Sequence, residues 1–245
     1  MKTIGFVGGG RVTRILLGGW RQAGKLPEKV VISDPSSALA TTRNNREAAA
    51  QDIVFLAVHP PAMGAVLAEI APVLKAGALV VSLAPKFTIA KIAGALGGFA
   101  RIARMIPNAP SLIGAGYNPV ALSASLDETA RQELLALLGP LGECPVVAEE
   151  KLEAFAILSG MGPTYLWFQL QALREVAVQC GLSEEDIVPA LKRTVCGAAR
   201  TLLESGLSPS EVMDLIPVKP LGEDEAAIKT LYLTKLPALY AKIKP

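Results

Sequence analysis

The sequence predicts an α/β region over residues 1–150 followed by an all-helical region over residues 151–245. Two observations carry that division. In the first part, continuous Val, Ile and Leu runs alternate with helical segments, the pattern of a parallel sheet covered on both faces. From about Glu149 onward no strand-like run remains, and glycines, prolines and serines mark helix starts and stops. Of the 245 residues 51% are apolar and only 5% aromatic, which suits tight helix–sheet and helix–helix packing.

The elements follow in order. Residues 3–7 form a short buried strand, then a glycine turn, then a helix over 11–23. A second β-rich run over 29–33 ends in Asp34-Pro35. The third, DIVFLAV, covers 52–58, and Pro60-Pro61 opens a helix to about Leu74. ALVVSL over 78–83 is the fourth, and the fifth, 100–106, is closed by Pro107. Short strands are expected within 115–122 and 143–147, flanking a helix over 127–138 that Gly139-Pro140 ends. In the helical part, Gly162-Pro163 starts a helix to Cys180, with Gly181 as its left-handed stop. Ser183 caps a helix with Glu184, Glu185 and Asp186 in its first turn, ending near Gly206. Ser208-Pro209-Ser210-Glu211 reads as a capping box, and a last helix covers about 223–241.

The glycine turn gives the first functional expectation. Gly8-x-Gly10-x-x-Thr13 follows a strand and opens a helix, the arrangement of a Rossmann-type dinucleotide-binding domain. The strand must turn sharply, and the backbone must approach a pyrophosphate whose oxygens take unpaired N–H groups at the helix start. Gly8, Gly9 and Gly10 are the expected cradle. Asp34, ending the second strand, is placed to accept from the ribose hydroxyls of NAD, and its charge would repel the 2′-phosphate of NADP. Arg43 and Arg46 lie near enough in sequence to offset that repulsion, and Asp34 has a plainer reading as the start of an Asp-Pro-Ser-Ser turn. The balance leans to NAD, with NADP the alternative.

Composition narrows the rest. The net charge is +2, from 24 basic and 22 acidic residues without a basic tract, so neither nucleic acid nor an anionic membrane surface is an expected partner. The most apolar stretch, 53–84, is too interrupted to span a bilayer, and no signal-peptide pattern opens the chain. Three dispersed cysteines fit a reducing cytoplasm. With His59 the single histidine, no multi-histidine metal site is possible and no metal is expected.

Several motifs, in order, resemble the pyrroline-5-carboxylate reductase family. Ile4-Gly5-Phe6-Val7-Gly8-Gly9-Gly10 is similar to its first strand and turn. Ala57-Val58-His59-Pro60 is similar to its Ala-Val-Lys-Pro segment, and Arg104-Met105-Ile106-Pro107-Asn108-Ala109-Pro110 to its Arg-x-Met-Pro-Asn-Thr-Pro motif. Leu158-Ser159-Gly160-Met161-Gly162-Pro163-Thr164-Tyr165 resembles its Leu-Ser-Gly-Ser-Gly-Pro-Ala-Tyr signature, the most specific of the set. Gly197-Ala198-Ala199 and Leu203-Glu204-Ser205-Gly206 follow suit, so the resemblance spans about residues 3–216. It implies a nucleotide domain over 1–150, a helical substrate and dimerisation domain over 151–245, and reduction of a cyclic imine with hydride from NADPH or NADH. It also implies that Gly8, Gly10, Arg11 and Val12 line the pyrophosphate. Asn44, Ala57, Val58 and Ala84 would line the adenosine and nicotinamide ends, Asn108 would lie beside the nicotinamide, and Ser159, Gly160 and Thr164 near the substrate. His59 either lines the cofactor beside Pro60 or is a solvated helix-start residue.

The chain departs from the family after Met213-Asp214-Leu215-Ile216. There the family has a Ser-Pro-Gly-Gly-Thr-Thr loop that grips the substrate carboxylate. Here Lys219 replaces the Ser, Leu221 a Gly, and Glu223 and Asp224 the two threonines. Glu223, Asp224 and Glu225 would repel an anionic substrate, or simply form a favourable first helical turn. No catalytic residue is assigned. Ala84-Pro85-Lys86-Phe87 also departs from the family's Ala-Ala-Gly-Val.

The expected activity is therefore NAD(P)-dependent reduction of 1-pyrroline-5-carboxylate to proline, or of a related imine or ketone. The rival is a non-catalytic NAD(P)-binding regulatory relative that has lost the substrate loop. A deazaflavin-dependent oxidoreductase is a third reading, opposed by the Ser-Gly-x-Gly-Pro-x-Tyr match. The apolar helical part predicts a homodimer built on residues 151–245.

Overall fold

A computed structural model describes residues 2–245. Apolar runs become strands and the segments between them cover the sheet. β1 (Ile4–Val7) leads into α1 (Arg11–Gln22), and β2 (Val30–Ser33) into the short α2 (Asn45–Ala49). β3 (Ile53–Leu56) precedes α3 (Pro60–Ile70), and β4 (Leu79–Ser82) precedes α4 (Ile89–Ala95). β5 (Ile102–Met105) is followed by β6 (Gly116–Tyr117), β7 (Val120–Leu122), α5 (Glu128–Leu138) and β8 (Gly142–Glu143). The six-stranded sheet has the order β2-β1-β3-β4-β5-β7, parallel except for β7, which runs antiparallel to β5.

Each strand feeds two cores because its side chains alternate faces. Ile4, Phe6, Ile53, Phe55, Leu79 and Val81 meet α1 and α5 on one side, with Phe6 stacked on Phe55 at 4.8 Å. Val7, Val54, Leu56, Val80 and Ile102 meet α2, α3 and α4 on the other. That two-sided burial is why the strands read as unbroken apolar runs.

The helical part begins with α6 (Leu152–Phe155), a π-helical segment (Ala156–Gly160) and α7 (Gly162–Gln179). α8 (Glu184–Glu204) carries the Ser183–Asp186 capping box, α9 (Pro209–Asp214) the Ser208–Glu211 box, and α10 (Glu225–Ile243) ends the fold. The chain divides into two compact units. One runs to Gly162 and takes back Ala238–Pro245; the other is Pro163–Pro237. The first unit thus extends past residue 150, because α6 and the π segment pack on β5 and β7 through Ile106, Ala121, Leu152 and Ala156. In the second unit many large apolar side chains are exposed, among them Trp167, Phe168, Leu203 and Leu231.

Several element boundaries differ from the sequence expectation. The 115–122 run splits at Asn118-Pro119 into β6, which pairs with β8, and β7, which pairs with β5. The 143–147 strand shortens to Gly142–Glu143 with an isolated bridge at Val146. The last helix starts at Glu225 rather than 223, because Gly222 and Asp224 close turns onto the carbonyls of Lys219 and Leu221.

Candidate nucleotide-binding site

The strand order reverses at β1, with β2 on one side and β3 on the other, so a crevice opens over the carboxyl ends of β1 and β3. Gly8 lies there with φ of +108°, and a Cβ on it would sit 2.5 Å from the Ala57 carbonyl oxygen. Only glycine lets the turn pass that close to Ala57 and Val58. Gly10 caps α1 without any side-chain hydrogen bond, and a Cβ on it would meet nothing within 4 Å. The first-turn amides of α1, on exposed Arg11 and half-buried Val12, therefore face an open cradle that fits a pyrophosphate. Thr13 is buried and its hydroxyl donates to the Gly8 carbonyl at 2.7 Å, pinning the turn.

Asp34 ties β2 to this turn. Its Oδ2 accepts the Gly9 N–H at 2.8 Å, and its Oδ1 accepts the N–H groups of Ser36 and Ser37. Burial alone would raise the carboxyl pKa; the N–H groups of Ser36, Gly9 and Ser37 outweigh it and hold the group below its ordinary value. These bonds show Asp34 starting its turn and tying it to the glycine loop. Beside it a cavity of about 310 Å³ is lined by Ser36, Ser37, Thr42 and Arg43. Asn44 is exposed and caps α2, its Oδ1 accepting the Arg46 N–H at 3.0 Å.

Across the crevice, Ala57 and Val58 are half-buried and His59 is the exposed N-cap of α3, with Pro60 in the first turn and no side-chain cap bond. Ala84 is buried after β4. Asn108, just past β5, is buried and engaged: its N–H donates to Asn118 Oδ1 at 2.9 Å and its Nδ2 donates to the Ser159 carbonyl. Gly160 packs closely on the segment before Asn108, a Cβ there lying 3.0 Å from Ile106 Cγ2. The Ser159 hydroxyl donates back to the Phe155 carbonyl at 3.0 Å. The structure therefore brings Asn108, Ser159 and Gly160 together. π segments are rare and recur at functional sites, and this one carries the Ser-Gly pair.

Thr164, Lys219, Glu223 and Asp224 belong to the second unit. All four are exposed: Thr164 in the first turn of α7, Lys219, Glu223 and Asp224 in the turns before α10. Lys219 and Glu225 border an apolar cavity of about 320 Å³ formed with Met213, Ile216, Val218 and Leu221.

Sequence reasoning missed a buried charge cluster behind the crevice. Arg104, 1% exposed, pairs with Glu149 at 2.9 Å and with the fully buried Glu153. Glu153 Oε1 also accepts the Lys86 N–H at 3.3 Å, and Glu149 Oε1 the Ile89 N–H at 2.6 Å. No sequence signal joins β5, the β4–α4 loop and α6, because the pairing is long-range.

Two family matches cover much of the chain. Residues 3–86 match the family described as NADP oxidoreductase, coenzyme F420-dependent, and residues 149–243 match pyrroline-5-carboxylate reductase dimerisation. The Escherichia coli pyrroline-5-carboxylate reductase is 30% identical over 242 residues, covering 94% of this chain and 90% of that protein. The chain belongs to the pyrroline-5-carboxylate reductase family. A reductase structure from Coxiella burnetii is 32% identical with a TM-score of 0.68, covering 99% of this chain and 94% of that one. The Plasmodium falciparum reductase, solved with NADP bound, shares the fold at 23% identity and a TM-score of 0.76, with 99% and 94% coverage. Among the described residues, no helix is long and apolar enough to cross a membrane.

Proposed function

We propose that this member of the reductase family transfers hydride from NADH or NADPH to the carbon–nitrogen double bond of 1-pyrroline-5-carboxylate or a close cyclic imine, forming proline or its analogue. The observation that carries the reading is the carboxyl end of the parallel strands, where the Gly8–Gly10 cradle and the Asn108–Ser159 link stand in a chain 30% identical to a named reductase over most of its length. The cofactor supplies the hydride when bound. The chain supplies position: Gly8, Gly9, Gly10, Arg11 and Val12 around the pyrophosphate, Asp34 and Asn44 at the adenosine end. Ala57, Val58, His59, Pro60, Ala84 and Asn108 serve the nicotinamide half, and Ser159, Gly160, Thr164 and Lys219 the substrate.

Asp34 supports a preference for NADH, because a 2′-phosphate in the neighbouring cavity would meet its carboxylate. Arg43 in the same cavity keeps NADPH usable. Asp34→Asn is expected to shift the ratio of kcat/KM towards NADPH by about tenfold, roughly one charge interaction at the rim of a wet site. An unchanged ratio would remove Asp34 from cofactor choice.

The reading is tested by following NADH and NADPH oxidation with pyrroline-5-carboxylate, beside cofactor titration. Turnover supports it. Cofactor binding without turnover of any cyclic imine favours the second reading, a nucleotide-binding regulatory relative, for which the exposed carboxylates of Glu223 and Asp224 speak. The exposed apolar side chains of the second unit support a homodimer through that unit, checked by light scattering on the eluted protein. We place it in the cytoplasm, in keeping with three free cysteines.

A further inference from the structure

Lys86 is the one non-glycine among the described residues whose φ is left-handed, at 71°. A lysine is strained there, where glycine would rest easily. Such strain persists only when the surroundings fix it, and it gathers at ligand clamps and active sites. The surroundings here do fix it. The buried Glu153 carboxylate takes the Lys86 N–H, Glu149 takes the Ile89 N–H three residues on, and Arg104 holds both carboxylates from beneath. The Lys86 side chain itself is exposed and makes no hydrogen bond or ion pair. Its ammonium is held out from a rigid loop without an ion-pair partner among the described residues, the two carboxylates at the loop being taken by Arg104 and by backbone N–H groups.

We propose that Lys86 supplies the counter-charge for the carboxylate of the imine substrate, an assignment that rests on the reductase reading above. The sheet order decides which anion it serves. β4 is two strands from β1, about 10 Å at the usual strand spacing, and lies on the opposite side of β1 from β2. The nucleotide's own anions belong at the β1 turn and the β2 end. An anion over the end of β4 must come from the second ligand. The chain's other candidate, Lys219, stands in a turn that also presents Glu223 and Asp224, two carboxylates unfavourable to an anion. The carboxylates that touch the Lys86 loop, Glu149 and Glu153, are both paired with Arg104, whereas Glu223 and Asp224 have no ion pair among the described residues.

The test compares pyrroline-5-carboxylate with 1-pyrroline, the same ring without the carboxylate, using full-length wild type, Lys86→Met and Lys86→Arg at saturating cofactor. Lys86→Met is expected to raise KM for pyrroline-5-carboxylate about tenfold or more, the loss of one charge-assisted contact. The loss on 1-pyrroline should be several-fold smaller, and Lys86→Arg should recover most of the affinity. Equal losses on the two imines, or none on the carboxylate, would overturn the assignment. If the wild type turns over neither imine, the reductase reading fails visibly and Lys86 is judged by equilibrium binding of proline to the cofactor-loaded protein. Weaker proline binding by Lys86→Met with pyrrolidine binding little altered supports it. Equal proline binding, or no proline binding by the wild type, overturns it.

Discussion

Around the glycine turn, polar side chains settle what glycine leaves loose. Thr13 donates to the Gly8 carbonyl, and Asp34 accepts from Gly9 while closing its own turn. Both positions were legible: the first as a small residue in the third motif place, the second as an acidic strand end. Their bonds were not, because each depends on where the chain returns. At Lys86 the signal lay only in the resemblance, where it stands at the Gly of the family's Ala-Ala-Gly-Val; a lysine after Pro85 by itself suggests no special backbone. Its left-handed φ yields a direct expectation. Lys86→Gly should raise stability by about 1 kcal/mol, the relief of a strained residue less the freedom glycine gains when unfolded. Thermal unfolding with and without cofactor checks this; a lower Tm would mean the loop is not strained.

The parallel strands were readable because both faces are buried, so β1, β3, β4 and β5 each appear as continuous apolar runs. The 115–122 run misled because it is two short strands in different sheets. The buried Asn118 between them donates its N–H to the Glu143 carbonyl of β8, while its side-chain oxygen takes the Asn108 N–H and the Ser111 hydroxyl. α2 and α4 are too short to show a helical period. The π segment leaves no trace in composition, since only its register differs from an α-helix: the Met161 N–H reaches the Ala156 carbonyl. The least readable part of the site is the Arg104–Glu149–Glu153 cluster joining β5, the β4–α4 loop and α6. Glu153→Ala should cost about 3–5 kcal/mol, because it strands part of a buried guanidinium and frees the Lys86 N–H. Denaturant unfolding measures it; a loss below about 1 kcal/mol would mean Glu149 alone suffices.

Asp52, just before β3, ties together the chain entering β1 and the segment entering β4. It accepts from Thr3 N–H and Oγ1 and pairs with Lys75 at 2.7 Å. The Lys75 ammonium first, then the two Thr3 donors, holds its carboxyl well below the ordinary value of 3.8. A depressed folded pKa stabilises above the unfolded value and is lost as pH falls towards the folded one. The Tm gap between wild type and Asp52→Asn should therefore be constant above about pH 5 and narrow below about pH 4. A gap independent of pH down to pH 2 would mean the carboxylate's charge contributes nothing.

The return of α10 bears on how the protein is made. Ile243, buried, and Leu239 pack with Ile106, Ala121 and Leu152, so the amino-terminal unit is completed by nearly the last residues of the chain. Domains synthesised from the amino terminus often fold while the rest is still emerging. Here the hydrophobic floor under β5 and β7 stays open until residues 239–243 have left the ribosome. During synthesis the nucleotide unit thus stays unfinished while the apolar helical segment is made, and emergence of Leu239 and Ile243, rather than translation of the glycine turn, lets its last core close.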